Sequence, residues 1–194
     1  CRSRKAILVH FSTDYVFDGL KDSPYTEEDP TDPLNAYGRT KRSGEEAIRG
    51  SGCRHYLIRT SWLYGPGGRH FVATVARLMK ERDVLEVVDD QRGAPTNTAD
   101  LAAFTEELLA SGEADGIFHF SNEGETTWYG VALEVKRILG LSCRVDPTTS
   151  DRFPRPARRP ANSRFDLSRS RRAVGHAFRT WQEALEDYLK REYP

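Results

Sequence analysis

Tyr37 and Lys41 lie four residues apart in Tyr37-Gly38-Arg39-Thr40-Lys41. On a helix that spacing puts a phenol and an ammonium on one face, separated by roughly 6 Å of rise. An isolated tyrosine hydroxyl titrates near ~10, and a neighbouring ammonium favours its phenolate. The pair is thereby a usable proton donor or acceptor near neutral pH. Upstream, Ser12-Thr13-Asp14-Tyr15-Val16-Phe17-Asp18-Gly19 offers hydroxyls and a carboxylate. Thr13 could supply a hydroxyl to the same reacting oxygen as Tyr37. A carbonyl that gains hydride becomes an alkoxide, and donors aimed at it stabilise the charge as it forms. Downstream, Arg59-Thr60-Ser61-Trp62-Leu63-Tyr64 adds more hydroxyls and an aromatic. Taken singly, each feature is ordinary. Tyr-x-x-x-Lys is two common residues at a fixed distance, Ser and Thr form turns, and Trp packs cores. Their conjunction carries the information.

The elements that must position these residues alternate. A continuous apolar run at 6–11 reads as a buried strand, and the Pro- and Asp-rich stretch 18–34 as a loop. A helix is expected from about Asn35 to Arg49, a strand at 54–60, a turn at Gly65-Pro66-Gly67-Gly68 and a helix over about 70–82. Val84–Val88 is another strand and 89–97 a loop. Thr98 is the expected N-cap of a helix over 99–111, ended by Gly112. A short strand at 117–120 follows, then a helix capped by Thr126 or Thr127. Residues 146–164 show little periodicity, and a last helix covers about 180–191. Strands alternating with helices predict an α/β protein with parallel strands and helical crossovers. In such sheets ligands bind at the carboxyl ends of the strands.

Composition narrows the function classes. In 194 residues, 29 Lys+Arg balance 29 Asp+Glu, which argues against a nucleic-acid binder. No apolar run of ~18 residues marks a membrane span. Cys1, Cys53 and Cys143 form no Cys-x-x-Cys pair, so a reducing compartment is expected rather than a disulfide framework or a cysteine zinc site. His10, His55 and His119 fall in strands, where core roles are expected. His70 and His176 have no partner at metal-site spacing. Arg152, Arg155, Arg158, Arg159, Arg164, Arg169, Arg171 and Arg172 crowd one segment. Most of these are expected to be solvated and ion-paired. Arg159 is the one selected as a contact for a diphosphate.

With Asp90-Gln91-Arg92-Gly93-Ala94-Pro95-Thr96 and Arg158-Arg159-Pro160-Ala161-Asn162-Ser163, the three motifs above occur in one order over nearly the whole chain. Together they resemble the dTDP-4-dehydrorhamnose reductases, extended short-chain dehydrogenases/reductases. The resemblance implies a Rossmann-like, doubly wound parallel sheet, present here as its C-terminal part, mainly 1–63 and 84–120. A smaller substrate lobe, about 64–83 and 121–194, is interleaved with it. It further implies NADPH- or NADH-dependent reduction of the C4 ketone of a dTDP-keto sugar in the cytoplasm. Tyr37 is then the proton donor. Lys41 holds the nicotinamide ribose beside Tyr37, Thr13 bonds the reacting oxygen, Thr13 and Asp14 contact substrate, and Trp62 packs on the sugar. No nucleic-acid or membrane partner is expected, and the protein is read as a monomer or weak homodimer.

Two departures from the family pattern stand out. The family's opening strand, Gly-rich turn and helix, which hold the dinucleotide pyrophosphate, have no match, and the chain begins with Cys1. Roughly 90 residues are therefore expected upstream. This chain reads as the C-terminal two-thirds of a reductase, expected not to bind NADPH tightly when isolated. Some members bind magnesium through carboxylates in the helix after Gly-Ala-Pro-Thr. The matching positions here are Ala99 and Ala103, so no metal site is expected. Two other readings remain open: another sugar-nucleotide reductase, epimerase or dehydratase, and a non-catalytic binding protein like the methionine adenosyltransferase regulatory subunit.

Overall fold

A computed structural model of the chain describes residues 1–153 and 156–194; Arg155 of the arginine-rich segment lies outside the described residues. In chain order the strands are β1 (Leu8–Thr13), β2 (His55–Thr60), β3 (Leu63–Tyr64), β4 (Val84–Val88), β5 (Arg92–Gly93), β6 (Thr96–Asn97), β7 (Gly116–Phe120), β8 (Thr126–Thr127) and β9 (Arg144–Thr148). The helices are α1 (Ala36–Gly50), α2 (Phe71–Glu81), α3 (Thr98–Ser111), α4 (Trp128–Leu139), α5 (Ser168–Val174) and α6 (Trp181–Glu192). The main sheet runs β1-β2-β7, all parallel, so the α/β class expected from the alternation is what forms. Among the described residues no helix is long and apolar enough to cross a membrane.

The two faces of this sheet are held differently. Alternation along β2 and β7 sends Tyr56, Ile58, Phe118 and Phe120 to one face, where they pack on Leu101, Phe104 and Leu108 of α3. The other alternating set includes Arg59 and His119, both buried. Arg59 forms a two-pronged ion pair with Glu45 of α1, Nη2 to Oε2 at 2.7 Å and Nε to Oε1 at 3.0 Å. Ser12 of β1 donates to the same Oε1 at 2.5 Å. Burial pushes the His119 imidazole well below its usual range, so it is neutral. Its Nδ1 lies 3.1 Å from the Tyr25 carbonyl and takes the donor role there. Its Nε2 is left as the acceptor facing Arg59 Nη1 at 3.5 Å. Only Gly38 and Glu45 of α1 are buried, so this helix is fixed to the sheet by charge and close backbone approach rather than by an apolar stripe.

The second lobe packs α2, α4 and α6 around Val75, Met79, Val131, Val135, Leu185 and Leu189. Here one expectation is corrected: β4 does not extend the main sheet but pairs in parallel with β9 in the lobe. Its alternating pattern marks a strand without naming a neighbour, and its inward residues Leu85 and Val87 join the lobe core. Strand β9 escaped notice because Pro147 interrupts its pattern, which a two-stranded sheet tolerates at an edge. The short α5 was likewise hidden in Arg-rich sequence. Asn97, not Thr98, caps α3, its side chain accepting from the Ala99 N–H. Thr127 caps α4, and Thr180 with Glu183 forms a capping box on α6.

Glu45→Ala leaves the Arg59 guanidinium buried and unpaired, and is expected to cost about 3–5 kcal/mol in urea melts. Replacing both partners with apolar residues (Glu45→Leu with Arg59→Met) is expected to recover most of that loss. A single Ala variant within about 0.5 kcal/mol of the parent would contradict the role given to the pair.

Candidate active site

Strands β1 and β2 run in register to Thr13 and Thr60, so their carboxyl ends open side by side. A cavity of about 750 Å³ lies there, and Thr13, Asp14, Tyr37, Trp62 and Arg159 all line it. The carboxyl end of the sheet thus brings together five of the six residues singled out by sequence. Lys41, the sixth, does not line the cavity; its Nζ donates to the Phe11 carbonyl of β1 at 2.5 Å.

Tyr37 reaches the cavity because the start of α1 is clamped. Asn35 caps it, accepting from Gly38 N–H at 2.8 Å, and its own amide donates to the Arg158 carbonyl at 2.8 Å. Gly38 then lets the helix settle on the Asp14–Val16 turn: a Cβ there would lie 2.1 Å from the Tyr15 carbonyl oxygen. Tyr15 meets the Tyr37 ring edge-on, with centroids 5.9 Å apart. Tyr37 itself is 54% exposed.

Thr13 and Asp14 are both buried. Thr13 Oγ1 donates to Asp14 Oδ1 at 2.8 Å and accepts the Tyr15 N–H at 3.2 Å. Burial raises the Asp14 carboxyl to about 6, against the opposing pull of the nearby Ser163 and Thr13 hydroxyls. Asp14 Oδ2 makes no hydrogen bond of good geometry among the described residues. Burial and then the neighbouring Asp14 raise the Tyr15 phenol, with Arg159 acting against them.

Trp62 sits at φ +48°, a left-handed conformation costing a bulky residue about 1–3 kcal/mol. The surroundings fix it there. Its ring stacks on Trp128 at 3.7 Å and 14°, and its carbonyl accepts from Thr96 N–H at 3.2 Å. Gly93 leaves room for the ring, since a Cβ would lie 2.6 Å from Trp62 Cε2. Trp128 is anchored through its Nε1 to Gln91 Oε1 at 3.1 Å. No local pattern in the sequence links Trp128 to Trp62, so this half of the stack went unread.

His70 was also missed. Its Nδ1 caps α2 by accepting from Ala73 N–H, and Tyr188 meets its Nε2 at 3.1 Å. Burial lowers the imidazole, as a cap accepting through nitrogen requires. The Gly65-Pro66-Gly67-Gly68 turn leads into this helix, and Gly65 is needed for packing: a Cβ would lie 1.9 Å from Thr98 Oγ1. Thr60, buried at the end of β2 and lining the cavity, has an Oγ1 with no partner among the described residues.

The cavity wall carries three arginines and the carboxylates Asp14 and Glu86. Arg69, Arg82 and Arg159 line it, and among the described residues none has an ion-pair partner. Elsewhere in the arginine-rich segment, Arg152, Arg164, Arg169 and Arg171 each face a glutamate. Asp100 is engaged by Arg179 at 2.8 Å and Asn122 at 2.6 Å. An aromatic stack, partnerless guanidinium groups and a phenol beside a hydroxyl–carboxyl pair suit an anionic ligand bearing a polar, reducible or hydroxylated carbon skeleton.

The comparisons with known proteins agree with this geometry. Residues 1–193 match the model of the RmlD substrate binding domain. The chain is 46% identical over 196 residues to a dTDP-4-dehydrorhamnose reductase of Streptomyces griseus, covering 96% of this chain and 64% of that protein. It superposes on the crystal structure of a dTDP-4-dehydrorhamnose reductase from Clostridium acetobutylicum with a TM-score of 0.94 at 38% identity, over 100% of this chain and 68% of that one. For the Bacillus anthracis enzyme, crystallised in complex with NADP, the values are 0.90 and 36%, over 96% and 66%. The chain therefore spans about two-thirds or less of the length of these relatives.

Gly38→Ala tests the clamp on α1. In an open helix this change gains up to about 1 kcal/mol. Here the clash with Tyr15 is expected to reverse the sign, giving a loss of about 1–3 kcal/mol in urea melts. A neutral or stabilised variant would contradict the close approach.

Proposed function

Because the chain belongs to the RmlD substrate binding domain family, we propose that its protein reduces the C4 ketone of dTDP-4-dehydro-L-rhamnose to give dTDP-L-rhamnose. The observation that carries this reading is the meeting of Thr13, Asp14, Tyr37, Trp62 and Arg159 at one cavity over the strand ends. The reading brings with it a cytoplasmic enzyme acting on a dTDP-sugar, as a monomer or weak homodimer.

The roles follow from the chemistry of each group. Tyr37 delivers the proton to the C4 oxygen, and Thr13 and Asp14 hold the sugar around that carbon. Trp62 offers a flat apolar wall to the sugar ring, stiffened by Trp128. Arg159 is the contact for the diphosphate, whose charge the unpaired Arg69 and Arg82 also favour. NADPH, or NADH, supplies the hydride when bound. Tyr37 and Lys41 are the residues that would hold its nicotinamide ribose. The partnerless Thr60 hydroxyl and the exposed Tyr37 support a ligand at that end of the cavity. An exposed phenol at the strand ends favours catalysis over a purely regulatory binding role.

Tyr37→Phe keeps the ring and removes the proton. Its kcat for NADPH-linked reduction of the dTDP-keto sugar is expected to fall about 10²–10⁴-fold with KM little changed. Unchanged turnover would overturn the proton-donor assignment.

A further inference from the structure

The hydrogen-bond count at Thr13 limits what this residue can offer a ligand. A threonine hydroxyl has one proton and two lone pairs. The proton goes to Asp14 Oδ1 and one lone pair takes the Tyr15 N–H. With Asp14 ionised, Thr13 has only a lone pair left, and so can accept from an alcohol but cannot donate to a ketone. A proton on Asp14 Oδ1 reverses the bond between them. The carboxyl then donates to Thr13, both Thr13 lone pairs are filled, and its own hydrogen is free for the cavity.

We propose that Asp14 is the positioning residue that sets the hydrogen-bonding sense of Thr13, protonated when the ketone is bound and ionised when the alcohol is bound. This rests on the reductase reading above and adds to it a reason for a buried acid beside the reacting oxygen. The proton consumed by the reaction still comes from Tyr37. Asp14 takes one proton from solvent as the ketone binds and returns it once the alcohol has formed, so the overall balance of one hydride and one proton per ketone is unchanged.

The surroundings permit the exchange. Asp14 is 3% exposed, and burial outweighs the Ser163 and Thr13 hydroxyls that favour its charged form, so that form is only weakly held. Its carboxyl, raised to about 6 by burial, takes up a proton near neutral pH at small cost. Tyr15 on its own turn, Tyr37 on α1 and Arg159 line the same cavity, Tyr37 and Arg159 acting on Tyr15, and the segment with Arg159 brings the Ser163 hydroxyl to Asp14. At the end of β2, Thr60 and the following Ser61 line this part of the cavity and are neutral. Lys41 is turned to the Phe11 carbonyl.

Calorimetry without reduced cofactor, in two buffers of different ionisation enthalpy at pH 7, separates the possibilities. The probes are a dTDP-4-keto-6-deoxy sugar and dTDP-L-rhamnose. The ketone is expected to bind with uptake approaching one proton per site, and the alcohol with none. Ketone affinity should weaken as pH rises further, by about tenfold per unit at the limit. Asp14→Asn carries no exchangeable carboxyl proton and is expected to bind the ketone without uptake. Equal uptake for both ligands, or uptake that survives in Asp14→Asn, would overturn the proposal while leaving the reductase reading standing. Failure of both ligands to bind would overturn that reading and the proposal with it.

Discussion

The Glu45–Arg59 ion pair is the constraint from which the geometry of the cavity follows. Helix α1 brings almost no apolar surface to the sheet, and only Gly38 and Glu45 are buried along its 15 residues. A helix without an apolar stripe has little to set its rotation or register. The two-pronged pair, with Ser12 on the same carboxylate, supplies both, because a buried carboxylate off its partner is costly. Tyr37, Lys41 and Glu45 follow one another at intervals of four, so fixing Glu45 against β2 places all three over the sheet.

The opposite wall of the cavity depends on packing instead. Trp62 is held in a strained backbone conformation by its stack on Trp128 and by the space left at Gly93. Strain of this kind persists only where neighbours over-determine it, and here they come from both lobes. The segment carrying Arg159 is tied down in turn by Pro160, which packs on Gly19, and by Asn162, whose amide donates to the Lys21 and Ser23 carbonyls. One side of the cavity is therefore set by charge, the other by aromatic contact and tight backbone approach.

What was legible in the sequence was local. Tyr37 and Lys41 announce themselves by a four-residue spacing, and Thr13 and Trp62 by following strand-like runs. The strand at Val84–Val88 was found at its observed limits, yet it was grouped with the main sheet, because alternation encodes a buried face and not a neighbour. Glu45, Arg59 and Trp128 went unread for the same reason: their roles come from residues distant in sequence. At the start of α3, two capping residue types stand side by side, and composition alone does not choose between Asn97 and Thr98. His70 was set aside as lacking a partner at metal-site spacing, and its nitrogen instead closes a helix end.

The most direct measurement is a crystal structure of the protein with dTDP-L-rhamnose. The sugar is expected between Trp62 and Thr13, with its C4 oxygen about 2.6–3.2 Å from the Tyr37 hydroxyl and the diphosphate on Arg159. A ligand seated away from the ends of β1 and β2, or with Tyr37 out of reach of C4, would contradict the assignment of this cavity as the active site.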